Sequence, residues 1–111
     1  MKTSTKGRGY ISVASKIWDD LGQPETPLAW HKALLLPENY EVVAIRPRHE
    51  TGLHTNAEII VLVESDAIPV GDAHIAQTQV IPYYCKHEDG RVELTYIEIN
   101  QWDGERWQKV E

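Results

Sequence analysis

The sequence predicts an α+β domain in which one or two N-terminal helices pack on a four- to five-stranded antiparallel, meander-like sheet. Two observations support this prediction. Apolar residues recur at helical spacing in the first third of the chain, whereas beyond residue 41 they follow strand-like patterns separated by short turns. A run of helices followed by a run of strands is typical of α+β domains. The second face of such a sheet must be solvated, covered by a partner or curved around a pocket.

The composition is that of one soluble globular domain. The chain has 111 residues, of which 41% are hydrophobic and 25% are charged, so a core can form without a metal or a disulfide. Cys85 is the single cysteine, and because the first residues include no continuous apolar stretch, we expect no secretory signal. The longest aliphatic run, residues 59–63, is too short to cross a bilayer. We therefore expect a cytoplasmic protein without membrane contact.

Charge is distributed unevenly along the chain. The net charge is −6, and because the first ten residues hold Lys2, Lys6 and Arg8 but no acid, the rest of the chain carries −9. Phosphate contacts to nucleic acid depend on clustered Lys and Arg, so this acidic body predicts no nucleic-acid partner. We interpret residues 1–9 as a flexible basic arm and residues 10–111 as a single α+β domain.

Two helices are predicted after the arm. The first begins at Ser12, a suitable N-cap, and ends before Gly22, which favours the left-handed conformation found after helix ends. Its apolar stripe comprises Val13, Ala14, Ile17, Trp18 and Leu21. Thr26 followed by Pro27 begins a second helix, since proline is preferred at the first helical position. Residues 34–36 can continue this helix or form a short strand.

The next stretch, residues 41–64, predicts two strands joined by a polar connection. In the first strand, alternate residues face opposite sides, with Val43 on one side and Val42 on the other. Pro47 cannot donate a ladder hydrogen bond, so this strand frays or reaches a sheet edge there. In the second strand, residues 59–63 are five consecutive aliphatic residues, which is typical of a central strand.

Two hairpins are predicted in the last third of the chain. Residues 79–87 and 91–100 flank an Asp-Gly dipeptide, which is a favoured hairpin turn. Pro82 indicates that the first arm of this hairpin lies at a sheet edge or carries a bulge. A second Asp-Gly dipeptide lies between Trp102 and Trp107 and predicts a short final hairpin.

The connection between the first two strands gathers basic side chains in an otherwise acidic protein. Arg46 and Arg48 are two residues apart, so on a strand they project from one face and can clamp a carboxylate or a phosphate. His49 and His54 can add hydrogen bonds or protons near neutral pH. These four residues are the candidate anion-binding site. The alternative interpretation is that these four residues only keep an exposed strand end soluble.

Other chemistry has little support in the sequence. No metal-binding spacing such as HExxH or CxxC occurs. Cys85 and His87 are two residues apart on a predicted strand, where a lone cysteine is more often a small core residue than a nucleophile. Glu93 and Glu98 fall on opposite faces of a regular strand and form no acid/base pair. We expect neither a metal nor a cofactor, and an enzyme is the less favoured interpretation.

The aromatic set consists of four Trp and five Tyr with no Phe, so every large ring has a polar group suited to half-buried positions. A partner or self-association surface is predicted at Tyr83, Tyr84, Tyr96, Trp102 and Trp107. The leading hypothesis is a small acidic non-enzymatic binding or adaptor domain that contacts another protein through a sheet face and is expected to be a homodimer. The alternative is a small ligand-binding domain or enzyme whose anion-binding pocket is lined by the four basic residues.

Overall fold

The computed structural model describes residues 6–48, 58–70 and 77–110, which form one six-stranded sheet with two short helices. The elements are β1 Gly7–Ala14, α1 Ser15–Asp20, α2 Pro27–Ala33, β2 Tyr40–Arg48, β3 Glu58–Ser65, β4 Thr78–Lys86, β5 Val92–Trp102 and β6 Trp107–Lys109. The helices are six and seven residues long, and no helix among the described residues is long and apolar enough to cross a membrane.

The strand order is β2-β3-β1-β4-β5-β6. All neighbouring strands are antiparallel except β1 and β4, which run parallel. The prediction of a four- to five-stranded antiparallel meander behind N-terminal helices is therefore wrong, because an N-terminal strand lies between the two predicted pairs and makes the sheet mixed. Residues 7–9 of the predicted arm belong to this strand, and residues 1–5 lie outside the described residues.

Strand β1 occupies a segment that the sequence assigned partly to an arm and partly to a helix. Gly7, Gly9, Ile11 and Val13 are buried in alternation with more exposed residues, which is the two-residue period of a strand. Its first glycine allows a close approach of two backbones, because a Cβ at Gly7 would lie 2.6 Å from the carbonyl oxygen of Pro69. Gly7 and Gly9, which the sequence assigned to a flexible arm, therefore belong to an interior strand of the sheet.

Helix α1 is shorter than predicted, and its C-terminal stop is confirmed. It begins at Ser15 because the residues before it pair in β1. At its C-terminus the N–H of Gln23 donates to the carbonyl oxygen of Trp18 at 2.9 Å. The N–H of Gly22 donates to Asp19 at 3.1 Å, which completes a Schellman motif. Gly22 has φ +84°, a left-handed conformation that glycine adopts without steric cost.

Helix α2 begins as predicted. The Oγ1 of Thr26 accepts a hydrogen bond from the N–H of Ala29 at 3.1 Å, and Pro27 is the first helical residue. The helix ends in a second Schellman motif, with Leu35 at φ +55° in the position that Gly22 holds after α1. This segment is therefore a helix end and not the short strand considered as the alternative.

The β2–β3 pair confirms the two strands predicted before and after the basic connection. Strand β3 lies between β2 and β1, and Val61 and Val63 have no exposed surface, so the aliphatic run is an interior strand as predicted. A bulge between Val42 and Ala44 gives β2 one extra residue. As a result Val43 is 42% exposed, and the regular alternation predicted for β2 breaks at this residue.

The two predicted C-terminal hairpins are confirmed. Strands β4 and β5 pair around the first Asp-Gly turn, and β5 pairs with β6 so that Trp102 lies opposite Trp107. Strand β4 accommodates Pro82 because its pairing with β1 is limited to Tyr10 and Gln79. Beyond that pair, β4 has no strand neighbour on the β1 side among the described residues.

The core lies on one face of the sheet. Its buried apolar residues are Ile11, Val13, Trp30, Leu34, Leu36, Tyr40, Val42, Val61, Val63, Ile68, Val80 and Ile99. The register places the strand members of this set on the same face, since Ile11 lies opposite Val61 and Val80 lies opposite Ile99. We name this side the core face, which α2 covers through the buried Trp30, and the other side the open face.

Candidate functional site

Four of the five predicted interface rings lie together on the open face of β4, β5 and β6. Tyr83 is the register partner of Tyr96, and Trp102 is the partner of Trp107. Tyr96 and Trp102 are an even number of residues apart on β5, so both pairs project from one face, opposite to the buried Ile99. We name this surface the aromatic face. It consists of Tyr83, Tyr96, Glu98, Asn100, Trp102, Trp107 and Lys109.

The rings of the aromatic face form two pairs. Tyr83 and Tyr96 are stacked, with centroids 4.6 Å apart and planes 6° from parallel. Trp102 and Trp107 meet edge to face, with centroids 5.7 Å apart and an interplanar angle of 61°. Both arrangements are favourable for aromatic pairs. The four residues nevertheless remain between 36% and 49% exposed, so pairing leaves an ordered aromatic surface in contact with water.

A carboxylate and a cation are built into the aromatic face. The side chain of Glu98, 19% exposed, accepts hydrogen bonds from the Tyr83 hydroxyl and from Asn100 Nδ2, each at 3.1 Å. Its other oxygen lies 3.8 Å from Lys109 Nζ, which is 5.9 Å from the centroid of the Tyr96 ring. The hydrogen bond to Glu98 favours the neutral phenol and raises the pKa of Tyr83.

Tyr84, the fifth predicted interface ring, lies on the core face. Consecutive strand residues project to opposite faces, and a bulge in β5 lets Tyr83 oppose Tyr96 while Tyr84 opposes Leu94. The Tyr84 hydroxyl donates to the carbonyl oxygen of Leu34, at the end of α2, at 2.7 Å. Burial raises the pKa of Tyr84 to about 12. The structure therefore brings four of the predicted rings together and separates the fifth.

A pocket of about 650 Å³ opens beside Tyr84, and the sequence did not predict it. Its lining comes from α1 and the end of α2, from β1 and β4, and from Val92 at the start of β5. Among the residues that the structure describes, the lining contains no charged side chain, and its polar members are Ser12, Gln79 and Tyr84. Its residues come from segments far apart in the chain, so local sequence patterns gave no signal for it.

The predicted anion-binding residues lie at the end of β2. Arg46 is exposed on this edge strand, and Arg48 is its last residue. His49 and His54 lie outside the described residues. The pocket proposed from these four basic residues stays a prediction.

Other reactive side chains near the first Asp-Gly turn are solvent-facing. Cys85 is exposed on β4, and His87 Nε2 lies 2.9 Å from Glu93 Oε2. Within residues 6–48, 58–70 and 77–110, no three His, Cys, Asp or Glu side chains are grouped as metal ligands would be.

No protein-family model, curated protein or solved structure matches this chain. The aromatic face and the pocket are therefore interpreted from their own geometry and chemistry.

Proposed function

We propose that the protein is a small non-enzymatic binding domain that self-associates into a homodimer through the aromatic face. The observation that supports this proposal is the set of four Tyr and Trp residues that stay between 36% and 49% exposed although their rings are ordered in pairs. Such rings supply large, rigid contact area with a polar group at one end, and they are enriched in protein interfaces.

The exposed aromatic area falls within the size range of the largest apolar patch on a typical monomer, and such patches are often functional. A Tyr or Trp side chain offers about 200 Å² of surface, so four rings at these exposures present roughly 330 Å² to water. Apolar patches of a few hundred Å² on a small protein mark interaction sites. A stable interface buries about 800 Å² per partner, so the rings would form its centre and the polar residues around them its rim.

The charges of the aromatic face favour a second copy as the occupant. Glu98 and Lys109 carry opposite charges and lie within one patch, 3.8 Å apart. In a two-fold symmetric dimer the same patch faces itself, so the cation of one copy can meet the carboxylate of the other. A patch with a single sign of charge would repel its own copy.

The test is the mass of the protein in solution, measured by sedimentation equilibrium over a range of concentrations. We expect a dimer for the wild type and about hundredfold weaker association for a Trp102→Ala/Trp107→Ala variant, because central aromatic residues dominate interface energies. Leu28→Ala is the matched control, since Leu28 is 65% exposed on α2 and lies outside the aromatic face. It should associate like the wild type.

Two results would contradict the homodimer. One is a wild-type protein that is monomeric at every concentration, and the other is a double variant that associates as tightly as the wild type. If the wild type is monomeric and a heterologous complex is lost in the same double variant, the occupant of the aromatic face is a different protein.

A further inference from the structure

A second exposed apolar surface lies on the core face and has no role in the proposed dimer. It is the pocket of about 650 Å³ beside Tyr84. Four of its lining residues remain between 40% and 45% exposed, namely Ile17, Leu35, Tyr84 and Val92. We propose that this pocket binds an uncharged, predominantly apolar small molecule.

The pocket follows from the parallel pair at the centre of the sheet. Strands β1 and β4 share one register position, Tyr10 with Gln79. Farther along, Val13 of β1 and Pro82 of β4 both line the pocket, which lies where pairing of these strands has ended. Pro82 has no N–H to donate, so it cannot extend the ladder toward β1. Pro82 is therefore compatible with the end of pairing at which the pocket opens.

The end of α2 places an apolar side chain in the pocket at a conformational cost. The N–H of Leu36 donates to His31, and that of Leu35 donates to Lys32, each at 3.1 Å. The residue at the Leu35 position of this Schellman motif is usually glycine, because a Cβ disfavours positive φ. Gly22 holds the same position after α1. Leu35 has φ +55° and contributes its side chain to the lining, which glycine could not do.

The lining determines the chemistry of the ligand. The described residues of the lining include no charged side chain, so an ionised group beside them would lose its hydration without gaining a partner among them. The Tyr84 hydroxyl hydrogen is already donated to Leu34, which leaves the oxygen as an acceptor. The volume falls in the range of roughly 300–1,000 Å³ that is typical of small-molecule sites. These features favour a neutral apolar ligand over a peptide or a second copy.

The first experiment uses N-phenyl-1-naphthylamine, an uncharged probe whose fluorescence rises in apolar surroundings. We expect saturable binding to the full chain and competition by 1-decanol. Decanoate and decylammonium, which have the same chain length but carry a charge, should compete about tenfold more weakly because their head groups must remain in water.

The second experiment locates the probe with two variants. Ile17→Asp places a carboxylate at the pocket and should weaken probe binding about tenfold. Leu35→Gly removes a lining side chain and relieves a positive φ, so it should bind the probe more weakly while folding normally. Leu28→Asp introduces the same charge on an exposed residue outside the lining and should bind the probe like the wild type.

The outcomes separate this proposal from the homodimer. Trp102→Ala/Trp107→Ala should retain probe binding, and Leu35→Gly should retain the wild-type mass. The pocket proposal is overturned if the probe does not saturate, if the three competitors act equally, or if Ile17→Asp and Leu35→Gly bind the probe like the wild type. A change of mass in Leu35→Gly would instead identify the pocket as an interface between copies and would also overturn it.

Discussion

The aromatic face and the pocket expose apolar side chains to a similar extent but differ in the polar groups placed among them. On the aromatic face, a carboxylate accepts two hydrogen bonds and lies near a lysine that is also close to a ring. In the pocket, none of the described lining residues is charged, and the hydroxyl of Tyr84 donates to a backbone carbonyl oxygen. Exposed apolar area alone therefore does not identify an occupant. The neighbouring polar groups are the reason that we propose a protein partner for the aromatic face and a neutral ligand for the pocket.

Two adjacent tyrosines of β4 show the same difference in neighbouring polar groups. Tyr83 and Tyr84 are neighbours in β4 and are 38% and 40% exposed, yet they project to opposite faces. Both have a raised pKa, but the causes differ. A carboxylate acts on Tyr83, whereas burial acts on Tyr84. The aromatic face and the pocket can therefore be perturbed separately by substitutions at consecutive residues.

The largest expected effect concerns the helix that forms part of the pocket lining. Trp30 is 1% exposed and anchors α2 in the core, so Trp30→Ala should lower the free energy of unfolding by about 3–5 kcal/mol and weaken probe binding. Trp107→Ala removes the same type of side chain from the aromatic face, where Trp107 is 41% exposed. This variant should lower the free energy of unfolding of the monomer by less than about 1 kcal/mol. Urea denaturation measures both values. Equal losses would contradict the division of the sheet into a core face and an open face.

A second comparison uses the two helix ends. Gly22 has φ +84°, and an added methyl group would lie in open space. Gly22→Ala should therefore lower the free energy of unfolding by roughly 1–2 kcal/mol through backbone strain alone. Leu35→Gly should change stability by less than about 1 kcal/mol, because relief of strain opposes lost burial and the greater freedom of the unfolded chain. Thermal unfolding of both variants tests this. A large loss for Leu35→Gly would mean that Leu35 is required for folding and not specifically for the pocket.

Local patterns in the sequence predicted the elements whose signals are local. The Asp-Gly dipeptides, the Thr26–Pro27 start and the aliphatic run at 59–63 all identify structures that form. The Trp102–Trp107 pair also follows from the predicted final hairpin, whereas Tyr83 and Tyr96 share a face only because of the bulge in β5. Turn chemistry, capping and two-residue periodicity act over a few residues, so these features could be predicted without knowing the strand order.

The features that local patterns could not predict depend on distant contacts. Gly7 and Gly9 indicate a loop by composition, but in β1 they allow backbone and side chains from other segments to approach closely. The parallel pairing of β1 with β4 has no local signal, and the pocket depends on it. The sequence offered a bulge in the first arm of this hairpin as one explanation of Pro82, but the extra residue lies in the second arm, β5, where Tyr84 opposes Leu94.

A third comparison removes one hydroxyl from each tyrosine. Tyr84→Phe loses a part-buried hydrogen bond of 2.7 Å and leaves the Leu34 carbonyl without that donor. It should therefore lower the free energy of unfolding by about 1 kcal/mol. Tyr83→Phe loses an exposed hydrogen bond to Glu98, and Glu98 keeps its hydrogen bond from Asn100. This variant should lower the free energy of unfolding by less than about 0.5 kcal/mol. Urea denaturation of the two variants at neutral pH gives the difference. A larger cost at Tyr83 would show that the Glu98 contacts hold the fold more strongly than the pocket contact does.

The last expected effect is absent at neutral pH and is a difference in alkaline sensitivity. An unfolded tyrosine loses its proton at about pH 10, whereas folded Tyr84 keeps it until about pH 12. Between these values the folded state binds more protons than the unfolded state, so the free energy of unfolding falls as pH rises. The contribution of Tyr84 is complete below about pH 10, and Tyr84→Phe should make the alkaline decline shallower. Tyr40, whose pKa is raised by burial, adds a background decline that all the variants share. Unfolding measurements from about pH 8 to about pH 11.5 test this, and identical slopes for wild type and Tyr84→Phe would refute a raised pKa for the part-buried Tyr84 hydroxyl.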